Sequence, residues 1–423
     1  MIYLVSTQTN AFDGEFKQIT LHQALDMLSG LKLIGTDTET AGLDCYTKPL
    51  LTIQLGNAEF QIVFDISSYG GIIPKQLKDF LNKSEATFLL QNAKFDLKFL
   101  YYQDVILKHV YDTMLVETIL TIGLQKDGRD LKTLCQKYCN VDLDKSVRGE
   151  IITKGLSAAV IRYAAYDVVY LEEIRRKQMS QVKYLKLDNA VSLDNEFVKV
   201  LAYIEYCGIK LDWLKWKEKS LKELEIVAER KQELDSWLLT NGYNKYFSGI
   251  RDLFTGEMDC ILNWNSSQQV IKLFEELGIP CEVKVRGETK KTVEQKSIGK
   301  YADDFPLLKL YFSYKDAVKQ TSTYGLNWQS MINPVTGRIH TTFKQIMNTG
   351  RLSSGNSREN KPNLQNLPSD ELTRSCFISE SGYKYIAVDY CAQESIILAN
   401  FSQDRNLLDF YAKGFEDSSM STY

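Results

Sequence analysis

The spacing of apolar side chains changes character once along this 423-residue chain, near residue 190. Before it, strand-like runs alternate with helix-like ones; after it, the spacing is mostly helical. "LLTIQLG" (50–56) and "EFQIVFDI" (59–66) predict a hairpin, with Gly56-Asn57 in its turn. "PKQLKDFL" and "FDLKFLYYQ" predict helices, and "ATFLLQN" between them a short buried strand. The first 185 or so residues therefore read as an α/β domain with mixed strands. Beyond them, "LDNEFVKVLAYIEYCGIKLD" predicts a helix with Phe197, Leu201 and Ile204 on one face and Gly208 as its terminator. "LDWLKWKEKSLKELEIVAERKQELDSWLL" continues as a long, charged amphipathic helix. No disordered linker separates the halves, so two joined domains that pack together are expected.

Composition narrows the class. A content of 44% hydrophobic and 25% charged residues is that of an ordinary globular protein. The N-terminal "MIYLVSTQTN" has neither a basic region followed by an apolar run nor an Arg-rich amphipathic pattern, and no apolar run approaches the roughly 20 residues that span a bilayer. A cytoplasmic protein with no membrane partner is expected. A net charge of −3 argues against a non-specific coat on nucleic acid, while leaving room for local basic grooves. Of eight cysteines only Cys135 and Cys139 are close, with no second pair to complete a zinc site, and the three histidines are dispersed. Any metal should be held by oxygen. No phosphate-binding loop, dinucleotide fingerprint or internal repeat is present.

Oxygen ligands are available. "LIGTDTET" (33–40) reads as a buried strand delivering Asp37 and Glu39 two positions apart, on one face, where like charges repel. Asp96 opens a helix in "NAKFDLKF", and "YAAYD" sets Tyr163 and Asp167 at i and i+4 on a helix. Singly, each has an ordinary structural reading: a solvated loop acid, a helix N-terminal acid, a surface Tyr–Asp pair. Gathered at one end of a sheet, the four carboxylates would need cations to stay ionised. Two divalent ions about 3.5–4 Å apart, magnesium or manganese, would relieve the repulsion and suit in-line attack on a phosphodiester.

"DTET", "NAKFD" and "YAAYD", in this order and spacing, resemble the three motifs of the proofreading 3′–5′ exonucleases of the DEDD superfamily, tyrosine subtype. The resemblance runs over residues 30 to 180 and includes "DLKTLCQKYCNVDLDK". It implies a ribonuclease H-like mixed-sheet domain over about 1–187. It also implies that Asp37, Glu39 and Asp167 hold two Mg2+ or Mn2+ ions, that Asp96 supports the second, and that Tyr163 orients the attacking water.

"YIEYCGIKLD" (203–212), "NWNSSQQVIKLFEELGI" (263–279), "TSTYG" (321–325), "GRIHTTFKQIMNTGRLSS" (337–354) and "KPNLQNLP" (361–368) are similar to segments of the family A DNA polymerases. "YIAVDYCAQESIILA" (385–399) reads as an apolar strand that delivers Asp389, with Glu394 at the start of a helix, and it resembles motif A of that family. The resemblance implies a helical thumb over about 210–315 and the first part of an α+β palm over about 316–423, both within 188–423. By it Asp389 holds catalytic metals, two ions per active site as in the exonuclease. Tyr390 and Glu394 meet the incoming dNTP, Glu394 as the gate against ribonucleotides. Arg351 contacts the primer-terminal minor groove, Gln365 and Asn366 lie near primer–template DNA, and Arg374 matches a basic position before the motif. "KVRGETKKTVEQKSIGK" (284–300), with six basic residues against two glutamates, reads by itself equally as a solvated loop; the resemblance implies a place at the thumb tip, where cations would meet duplex phosphates.

The chain departs from the family at Cys391, Ala392, Gln393 and Ile396 within motif A, and it carries neither the fingers helix nor the second palm Asp before Tyr423. The expectation is therefore a proofreading DNA polymerase chain. Its own activity would be exonucleolytic, on single-stranded DNA 3′ ends, and synthesis would need a partner polypeptide carrying the fingers and remaining palm. The alternatives are a free-standing exonuclease and a non-catalytic DNA-binding scaffold.

Overall fold

Seven strands form the sheet on which the first half of the chain is built: β1 (Ile2–Val5), β2 (Lys17–Gln18), β3 (Leu33–Thr40), β4 (Leu50–Gly56), β5 (Gln61–Asp65), β6 (Thr87–Leu90) and β7 (His109–Asp112), in the order β2-β1-β5-β4-β3-β6-β7. The β3–β4 and β4–β5 pairs are antiparallel and the others parallel, so the sheet is mixed as expected. This computed structural model describes residues 1–9, 11–122, 128–144, 156–251, 258–285 and 288–412. Lys145 of the exonuclease-like stretch, residues 286–287 of the basic run and everything after 412 lie outside them.

Helices α1 (Leu21–Ser29), α2 (Lys75–Lys83), α3 (Lys94–Tyr102), α4 (Thr113–Leu120), α5 (Leu131–Cys139), α6 (Ala158–Val169) and α7 (Leu171–Leu185) pack around the sheet. Ile34, Ile53, Leu55, Phe64, Phe88 and Leu97 form the core of one layer. Leu89, Val116, Leu134, Val168 and Ile174 form another. α8 (Asp188–Cys207) reaches both, giving Val198 and Ala202 to the first and Val191 to the second. The later part therefore packs on the sheet half through α8. Its buried face differs from the expected one: Val191, Asn195, Val198, Leu201, Ala202 and Glu205 are buried, whereas Ile204 is 45% exposed. The acid at position 205 disguises the register, because a carboxylate is core-compatible here only through the lysines that meet it.

α9 (Trp213–Thr240) is the long charged helix, begun by the Asp212 cap on the Lys215 N–H. It pairs with α11 (Pro306–Thr323), and with α10 (Ser267–Glu276) encloses Leu234, Leu238, Leu273, Phe274 and Tyr311. Near its start, Trp216 stacks on Trp328 at 4.4 Å between ring centroids and meets Phe377 edge-on.

Met1–Phe377 forms one compact unit and the residues from Ile378 a second. In the second, α12 (Gln393–Ser402) carries Glu394 in its first turn, as expected. The apolar strand expected before it is absent: 385–390 has no strand pairing, and Ile386 and Val388 are 88% and 85% exposed. An extended segment becomes a strand only when a second strand takes up its backbone hydrogen bonds, and no described residue pairs with 385–390 in that way.

Candidate active site

Period-two geometry in β3 turns Asp37 and Glu39 to one face of the sheet and Thr36, Thr38 and Thr40 to the other. Over the first face lies α6, begun by the Ser157 cap on the Val160 N–H. Gly35 permits this approach: a Cβ there would stand 2.7 Å from the carbonyl oxygen of Val168. One residue earlier on the same helix, Asp167 is buried, and its carboxylate oxygen joins those of Asp37 and Glu39 within 4.8 Å of one another. Tyr163 precedes Asp167 by one turn and is half-buried.

Asp96 stands outside this trio. It occupies the first turn of α3, and its Oδ1 accepts from the Thr38 N–H at 3.1 Å and the Thr38 hydroxyl at 2.6 Å. Burial pushes its carboxyl up to about 7, opposed by the Thr38 hydroxyl. Asp112 positions the helix that carries it. The Asp112 carboxylate accepts the N–H groups of Asn92 and Ala93 at 3.1 and 2.8 Å, and those of Met114 and Leu115 at the start of α4. Burial nevertheless raises the Asp112 pKa, ahead of those stabilising bonds.

Thr38, Asp112 and Gly35 were not singled out from the sequence. Thr38 was legible in principle, as the residue between two acids whose side chain must face the other way. Asp112 and Gly35 reveal themselves only through partners distant along the chain.

Three carboxylates supply a hard, all-oxygen donor set with more negative charge than one site tolerates without a cation. They fit a divalent ion of the magnesium type better than a soft metal.

The later residues picked out in the sequence lie in different units. In the first, the Gln365 amide oxygen accepts from the Ser354 N–H at 2.7 Å, close in sequence to exposed Arg351. The Asn366 carbonyl accepts from the Tyr324 hydroxyl, and Arg374 Nε donates to the Pro368 carbonyl at 2.8 Å. In the second, Asp389 is exposed and accepts from the Tyr390 N–H at 2.9 Å, while Tyr390 is 76% exposed.

Below the sheet's edge, α8 joins this geometry to later residues. Glu205 is buried, with Lys94 Nζ 2.6 Å from Oε1 and Lys98 Nζ 3.0 Å from Oε2, one lysine on each side of Asp96 in sequence. The Phe343 N–H donates to the same Oε1 at 2.7 Å.

Comparison with known proteins finds two family models. One, described as 3′–5′ exonuclease, matches residues 16–183; the other, described as DNA polymerase family A, matches residues 243–418. DNA polymerase I of Pseudomonas aeruginosa is 27% identical over 95% of this chain and 44% of its own length, and that of Borreliella burgdorferi is 29% identical over 99% and 44%. The thermostable DNA polymerase I of Thermus aquaticus is 31% identical over 51% of this chain and 24% of its own length. The chain thus spans less than half the length of these relatives. Among solved structures, the polymerase domain of Pol1 from M. smegmatis, in complex with DNA primer-template and dNTP, is similar in fold, with a TM-score of 0.73, 20% identity, and 97% of this chain and 65% of that one covered. Among the described residues no helix is long and apolar enough to cross a membrane.

Proposed function

The chain belongs to the family A DNA polymerases over residues 243–418 and carries a 3′–5′ exonuclease domain over residues 16–183, and from that premise we propose that it removes nucleotides from DNA 3′ ends at the site built by Asp37, Glu39 and Asp167. The observation that carries this reading is the convergence of those three carboxylates from a strand and a helix far apart in sequence. They would hold Mg2+ or Mn2+, and Asp96 would support a second ion. Bound metal supplies charge neutralisation and Lewis acidity toward the phosphodiester. The Tyr163 hydroxyl, one helical turn from Asp167, orients the water that attacks phosphorus. The water gives up a proton as a P–O bond forms to its oxygen, the bond to the 3′ oxygen of the preceding nucleotide breaks, and that 3′ oxygen takes up a proton. A nucleoside 5′-monophosphate leaves.

We assign residues 1–187 to this activity and 188–423 to the polymerase part, with the thumb over about 210–315 and palm residues from about 316. In templated synthesis Asp389 would hold metal, Tyr390 and Glu394 would meet the dNTP, and Arg351, Gln365, Asn366 and Arg374 would face primer–template DNA. The chain spans 44% of the length of its polymerase relatives. The fingers and the second palm acid are assigned to the part of such an enzyme outside the matched segment, in the same or a partner polypeptide.

The test is degradation of 5′-labelled single-stranded DNA under Mg2+ or Mn2+ titration. Shortening from the 3′ end, with Asp37→Ala losing nearly all of it, is expected; wild-type turnover in Asp37→Ala contradicts the assignment. Tyr163→Phe should bind metal normally and hydrolyse slowly.

A further inference from the structure

We propose that Gln54 is a positioning residue for the acidic site, its side-chain amide holding the Asp37 carboxylate in line for metal. The inference rests on the reading of Asp37 as a metal ligand and adds the group that orients it. In the β3–β4 ladder Asp37 stands opposite Gln54, Glu39 opposite Thr52, and Gly35 opposite Gly56. Directly opposed residues of an antiparallel pair share a face, with Cβ atoms about 4.5–5.5 Å apart. Gln54 and Thr52 therefore lie on the face of the acids, beneath the helix whose Val168 carbonyl meets Gly35.

Both are fully buried, at 0% exposure, in a strand otherwise made of Leu50, Leu51, Ile53, Leu55 and Gly56. A buried amide is costly where an aliphatic side chain would pack, unless its hydrogen bonds are made. One end of the Gln54 amide is satisfied by the Thr52 hydroxyl, while Oε1 has no partner among the described residues. Turning the amide over removes the deficit: the Thr52 hydroxyl donates to Oε1, and the NH2 group is released toward the opposed carboxylate, which can accept. A carboxylate with one oxygen held by an amide N–H keeps the other aimed at a cation. Partners of this kind commonly govern metal affinity by 10–100-fold.

The experiment compares wild type, Gln54→Met, Thr52→Val and Asp37→Ala in the full chain. Mn2+ binding is measured by calorimetry without DNA, and thermal unfolding is measured in chelator. Gln54→Met should weaken Mn2+ binding by about tenfold or more, out of proportion to any change in metal-free stability, because it keeps the side-chain volume and removes the amide that holds the Asp37 carboxylate. Thr52→Val, which removes only the hydroxyl that steers the amide, should weaken binding in the same direction by a smaller factor, and it keeps the test open if Gln54→Met folds poorly. A purely structural role would lower stability and affinity together. Unchanged Mn2+ affinity in both variants, or affinity loss that only follows lost stability, overturns the proposal. Equal Mn2+ binding by wild type and Asp37→Ala would instead overturn the metal-site reading beneath it.

Discussion

The Thr38 hydroxyl donates to Asp96 Oδ1 across 2.6 Å, and the Thr38 N–H donates to the same oxygen at 3.1 Å. One residue of β3, its side chain turned away from the face that carries Asp37 and Glu39, thereby secures the start of α3. Thr38→Val keeps the shape and removes the hydroxyl donor to a buried acid. It should cost about 1–3 kcal/mol of stability, measured by urea unfolding without metal. A change within error would mean that Thr38 does not hold α3.

Gly35 sets how closely α6 approaches β3. In Gly35→Ala the new Cβ meets backbone, the Val168 carbonyl at 2.7 Å, so the helix must shift and carry Asp167 with it. Misplacement by about 1 Å commonly costs about 10²-fold in rate. Single-turnover hydrolysis should fall by that order, and by more than the fraction of protein unfolded explains. A wild-type rate would show that the cluster tolerates movement of the helix.

Glu205 joins α8 to both lysines of α3 and to the backbone of Phe343. Burial alone would raise its pKa, but Lys98, Lys94 and the Phe343 N–H outweigh burial and lower it. Glu205→Ala leaves two mostly covered ammonium groups without their acid and should destabilise by about 3 kcal/mol. Denaturant unfolding of Glu205→Ala beside wild type reads this directly, and a loss under about 1 kcal/mol would make the cluster as weak as a surface pair.

His340 makes stability pH-dependent with a definite sign. Its ring is buried, with Nδ1 2.9 Å from the Glu205 carbonyl oxygen and Nε2 2.8 Å from the Thr336 hydroxyl, and it packs on Tyr46. Burial lowers its pKa from 6.5, helped by Lys361 and Arg338 and opposed by the Glu205 carbonyl and Asp44. The folded state thus binds the proton less readily than the unfolded one. Stability from this group is complete above about 6.5 and declines as pH falls from there toward the lowered value. His340→Gln should flatten that part of the curve in thermal unfolding between pH 7 and 5; an unchanged slope would assign it to other groups.

The elements most legible in sequence were those whose chemistry is local. β3 with its paired acids, the hairpin around Asn57, the helix start at Asp96 and the Tyr163–Asp167 turn all depend on neighbours within a few residues. What required the structure is held together by distant partners. The buried face of α8 departs from the Phe197, Leu201 and Ile204 reading because a carboxylate at 205 is core-compatible only where Lys94 and Lys98 meet it. The segment at 385–390 has a strand's composition, but a ladder needs a second strand, which composition does not supply. Gly35 and Gln54 look ordinary in one dimension and acquire meaning only beneath α6 and opposite Asp37.

The central claim is that Asp37, Glu39 and Asp167 together hold a divalent metal. The most direct measurement is anomalous diffraction from crystals of the full chain equilibrated with Mn2+. A manganese peak bonded to oxygens of all three carboxylates, lost in Asp37→Ala, is the predicted result. A difference map with no peak among these residues at saturating Mn2+, in crystals of protein that still shortens DNA from the 3′ end, would contradict it.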